Sequence, residues 1–75
     1  MAITVHFTWD TIHTLDDGNK MNQKTAEMTK AGKLINREVD ALGVPTSTFV
    51  DQASADEFVE FMKQFNPAKV EVKEV

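Results

Sequence analysis

A chain of 75 residues has room for one small hydrophobic core, and a domain of that size buries only about 60% of the surface its unfolded chain exposes. The absence of cysteine excludes disulfides and thiolate metal sites, and leaves self-association, such as a homodimer, as a way to enlarge a marginal core. A formal charge of −4 with a pI near 4.9 disfavours phosphate-backbone affinity as the main activity, because that affinity comes from clustered Lys and Arg.

Ile3, Val5, Phe7 and Trp9 alternate with Thr4, His6 and Thr8, the period-two pattern of a half-buried strand. Residues 10–19 read as a loop with a short helical turn, since Ile12 and Leu15 are three apart and Asp16-Asp17-Gly18-Asn19 is a turn cluster. The same cluster would close a hairpin if Thr11 to Leu15 paired back on the first strand. Met21, Met28, Ile35 and Leu42 recur every seven residues, widened by Ala31, Leu34 and Val39, and predict an amphipathic helix of about twenty residues. On that reading Gly32 lies inside the helix, Gly43 caps its end, and Pro45 blocks its return.

Thr46 to Val50 reads as a short strand, in which the neighbours Phe49 and Val50 must face opposite sides. Ser54-Ala55-Asp56-Glu57 matches a capping box. The helix it opens carries Ala55, Phe58, Val59, Met62 and Phe65 on one face and stops at Asn66-Pro67. Ala68, Val70 and Val72 then alternate with Lys69, Glu71 and Lys73 as a last strand. The expected architecture is a single α/β domain over residues 1–75, with α+β as the variant. It is a two-layer sandwich of β-α-β-α-β order, a three-stranded sheet with two helices packed on one face. Residues 46–74 form a βαβ unit with parallel strands, and the other sheet face is left polar and open.

Apolar runs of two or three residues cannot span a membrane, and the start at Met1-Ala2-Ile3 lacks the pattern of a leader. The expected location is therefore cytoplasmic, with no membrane partner. His6 and His13 with Asp10, Asp16 and Asp17 offer a histidine–aspartate pair for acid–base work. Nothing in the spacing brings them together, and no nucleophile accompanies them, so no catalytic residue, metal ligand or cofactor site is assigned. Neither the loop around Gly18 nor the stretch before Glu57 fits the EF-hand calcium pattern. Lys30, Lys33 and Arg37 fall on one side of the long helix and are the candidate anion contacts, set against the reading of a solvated charged face. Trp9 shares the parity of the core row, and Phe61 lies on the flank of its helix as a candidate contact residue.

The expected function is binding of another macromolecule, a protein first, without chemistry of its own. The expected surface is the polar sheet face, with Thr4, His6, Thr8, Glu71 and Lys73, together with Phe61 and any free strand edge. Nucleic-acid binding through Lys30, Lys33 and Arg37 is the alternative, and an enzyme subunit using His6, His13 and Asp10 a further one.

Overall fold

The computed structural model describes residues 2–10, 12–39, 41 and 45–74. The elements run β1 (Ile3–Thr8), α1 (Leu15–Lys30), β2 (Leu34–Val39), β3 (Pro45–Phe49), α2 (Gln52–Met62), a 3-10 turn (Lys63–Phe65) and β4 (Lys69–Glu74). Among the described residues four strands make one sheet in the order β2-β3-β1-β4, each neighbouring pair antiparallel. The chain is thus α+β. Strands β3 and β4 are parallel to each other with β1 inserted between them, and β1 and β2 are likewise separated by β3. This is the split β-α-β plan.

The βαβ unit over residues 46–74 is present in this split form, but the three-stranded sheet and the β-α-β-α-β order are corrected by the extra strand β2. The long helix ends at Lys30, twelve residues short of Leu42. Gly32 adopts φ +77°, a conformation L side chains rarely take. The amides of Gly32 and Lys33 turn back to the carbonyls of Thr29 (3.1 Å) and Met28 (2.9 Å), closing a Schellman cap. Past that cap Leu34–Val39 pairs with β3, and Ile35 is an extra residue at a register shift between Leu34 and Asn36. Leu42 and Gly43, read as the end of the helix, lie outside the described residues.

The other end of α1 also differs from expectation, because Leu15 to Asn19 is helical. Thr14 Oγ1 accepts the Asp17 amide at 3.1 Å, and Asp16 and Asp17 sit in the first turn, where the helix dipole favours negative charge. In α2 the cap is Asp51, whose carboxylate accepts the Ser54 amide at 2.8 Å. Ser54 is therefore inside the helix and buried, and Glu57 is released for another role. Asn66, at φ 55°, ends the 3-10 turn, its amide donating to the Lys63 carbonyl at 3.1 Å.

One cluster forms the core: Ile3, Val5 and Phe7 from β1, Phe49 from β3, Leu34 from β2, Met28 from α1, and Ala55, Phe58, Met62 and Phe65 from the α2 region. Both helices therefore cover the same side of the sheet. Phe58 holds the centre, its ring 5.0 Å from that of Phe49 and 5.8 Å from that of Phe7. Trp9 stacks on Phe7 at 5.5 Å and is half-buried against the core, in keeping with its parity. No helix among the described residues is long and apolar enough to cross a membrane.

Candidate interaction surface

Directly opposed residues of an antiparallel ladder share a face, so the register defines what the open side of the sheet presents. One cross-strand row is Asn36, Thr48, Thr4 and Lys73; the next is Glu38, Thr46, His6 and Glu71; Thr8 opposite Lys69 begins a third. The structure thus brings Thr4, His6, Thr8, Glu71 and Lys73 onto one surface. It adds Thr46, Thr48, Asn36 and Glu38, which sequence reasoning did not name. The signal for the two threonines was available: once Phe49 is taken as core, Thr48 is forced outward, and Thr46 with it. Asn36 and Glu38 were hidden by the helical reading of their segment.

Among the described residues the charges of this face are confined to its two edge strands. The central strands β1 and β3 contribute only hydroxyls and one imidazole. His6 Nδ1 and Thr46 Oγ1 are 3.0 Å apart, and the Thr4 hydroxyl donates to the Lys73 carbonyl at 3.3 Å. Lys69 and Glu71 pair at 3.7 Å along β4. Val50, read as the last residue of this strand, lies just beyond β3 and is exposed, while Phe49 is fully buried.

The remaining candidates are dispersed. Lys30 ends α1, Lys33 lies in the connection after it, and Arg37 stands on β2 opposite the buried Ser47. Their common helix side does not exist, because the helix that would have carried it ends at Lys30. Lys33 is moreover engaged: its Nζ lies 2.8 Å from Glu57 Oε1, while Lys24 Nζ lies 2.9 Å from Glu57 Oε2. Hydrogen bonds from Lys33 and then Lys24 hold the Glu57 carboxyl below the usual carboxylate range, and the bond that Lys33 donates to Glu57 raises the Lys33 pKa. The Asp51 carboxyl is likewise lowered, by its capping bonds to Ser54.

Phe61 flanks the core with the Lys24 ammonium 5.4 Å above its ring, which leaves it only partly open. His13 lies beside the rings of Trp9 and Phe65. Its ring meets Trp9 edge-on at 4.5 Å, and Nε2 lies 3.4 Å from the Phe65 carbonyl oxygen. Asp16 pairs instead with Lys20 at 3.3 Å. Ile12 and Leu15 are exposed, at 101% and 83%. Comparison with family models, curated proteins and solved structures finds no match to this chain.

Proposed function

We propose that this chain acts by binding another protein through the open face of its sheet, with no chemistry of its own. The observation that carries the reading is the layout of that face. Its centre holds Thr4, Thr8, Thr46, Thr48 and His6 on two adjacent strands, and its charges, Glu38, Lys69, Glu71 and Lys73, stand on the outer strands. Protein interfaces have this anatomy, a centre poor in charge inside a polar rim. Threonine suits the centre, because its branched side chain is already stiff in a strand and loses little freedom on docking. The rim alternates in sign along β4, which favours a partner with matched charges over a uniformly anionic one such as nucleic acid.

The test places a photo-crosslinking residue at Thr48, on the open face, or at Asp56, exposed on α2, in the cells that express the protein. The expected outcome is an adduct with a different protein from position 48 and none from position 56. Adducts from position 56 alone, or from neither position, would overturn the proposal.

A further inference from the structure

The two edges of the sheet are not equivalent. Strand β2 is interrupted at Ile35 by its register shift, and bulges of this kind blunt an edge against further pairing. Strand β4 pairs with β1 along all six of its residues without a shift, contains no proline, and has no strand on its outer side among the described residues. Its side chains sort cleanly. Lys69, Glu71 and Lys73 lie on the open face, while Val70, Val72 and Glu74 lie on the helix side. Val72 is 45% exposed although Val5, directly opposite it on β1, is fully buried.

Lysines on an edge normally repel incoming strands, but a strand of alternating sign can match itself. Two antiparallel copies of β4 related by a two-fold axis, with both helix layers on one side, meet in registers centred on a single residue. Centring on Glu71 sets Glu71 against its own copy and Lys69 against Lys73, and like charges directly opposite are destabilising. Centring on Lys69 or Lys73 opposes two lysines. Centring on Val70 matches Lys69 with Glu71, but it draws in Ala68, whose amide already donates to the Thr8 carbonyl at 2.9 Å, and then Pro67, which has no amide to give. Centring on Val72 sets Val72 against Val72 of the second copy and makes two Glu71–Lys73 pairs, one on each side. Every residue from Val70 to Glu74 then stays within the strand.

We infer that the chain self-associates through β4 as a two-fold dimer centred on Val72, which joins two four-stranded sheets into one continuous sheet. The Val72 side chains then meet on the helix side of the joined sheet, and the open faces of the two copies become contiguous. Glu71 and Lys73 also belong to the rim of the contact proposed above, but the inference needs no other protein, since it rests on the edge and not on the centre of the face.

Two experiments test it. Sedimentation equilibrium should find a dimer for the unaltered chain at high micromolar concentration. Lys73→Glu and Glu71→Lys should each weaken that dimer by about tenfold or more, because each turns two attractive pairs into repulsive ones. Mixing these two variants should restore a dimer, since one then brings only acidic and the other only basic groups to the four matched positions. Because the chain has no cysteine, Val72→Cys should oxidise to a disulfide-linked dimer, whereas Val70→Cys, which faces Glu74 of the second copy, should not. A monomer at every concentration, a mixture that stays monomeric, or equal crosslinking at positions 70 and 72 would each overturn the inference.

Discussion

Lys24 of α1 and Glu57 of α2 join the two helices above the sheet, Nζ to Oε2 at 2.9 Å. The other carboxylate oxygen holds Lys33, just before β2, so one side chain of α2 is tied both to the body of α1 and to the connection that leaves it. The arrangement has a sign in pH. The folded-state pKa of Glu57 is depressed, so its contribution to stability is present above the ordinary carboxylate range, about pH 4, and is lost as pH falls through the lowered value. Lys33, raised by the same pair, adds stability that persists until pH rises past the ordinary lysine range, about pH 10. Glu57→Gln should therefore melt at a lower temperature than the unaltered chain near neutral pH. The two melting curves should converge in strong acid and again in strong alkali. A gap that is constant across pH would mean that the pair is not the source.

The two glycines of the α1 region should respond in opposite directions to the same change. Gly18 is inside the first turns of the helix, and a Cβ built on it meets nothing within 4 Å, so Gly18→Ala should stabilise by about 1 kcal/mol. Gly32 also has open space around it, but its φ of +77° strains any L side chain, and Gly32→Ala should destabilise by about 1–2 kcal/mol. Urea unfolding midpoints of the two variants check both signs.

Gly32 also shows why part of the fold was hard to read from residues alone. The seven-residue recurrence of Met21, Met28, Ile35 and Leu42 suits a helix, yet only Met28 among these four is buried among the described residues. Leu34 is the one buried residue of β2. An edge strand whose residues after Leu34 are all exposed has no row of core side chains, so it leaves no period-two trace. β1 was legible for the opposite reason. It lies between β3 and β4 with the helices on one side, so burial imprints strict alternation on Ile3, Val5 and Phe7. The open-face positions of Thr4, His6 and Thr8 followed from that parity, and those of Glu71 and Lys73 from the same alternation in β4. The cap of α2 was misplaced because Ser54 and Asp51 both offer an oxygen to a helix start. Which one caps is decided by packing, since Ser54 is pulled into the buried face beside Ala55.

Phe58 is the residue whose loss the fold should tolerate least. It contacts Phe7 and Phe49, linking α2 to both central strands. Large-to-small changes at such sites cost about 3–5 kcal/mol, which matches the roughly 3–5 kcal/mol that a core of this size supplies in total. Phe58→Ala should lack a cooperative unfolding transition at room temperature in circular dichroism. Phe58→Leu, with most of the volume kept, should retain one at a lower midpoint.

The neighbours Ser47 and Thr48 test the division between the two faces at one point. Both lie in β3, one peptide apart. Ser47 is buried on the helix side opposite Val5 and Arg37, while Thr48 opens outward between Thr4 and Asn36. A lysine placed at Ser47 would put a charged group into the layer between sheet and helices, where an unpaired charge costs several kcal/mol after relaxation. A lysine at Thr48 stays in water and costs about 0.5 kcal/mol or less, as surface changes do. Ser47→Lys should accordingly be unfolded, whereas Thr48→Lys should melt close to the unaltered chain and lose its protein partner, because the charge falls in the centre of the proposed contact. If Thr48→Lys unfolded the chain as well, that face would be covered by something, and the proposed contact surface would have to be sought elsewhere on the molecule.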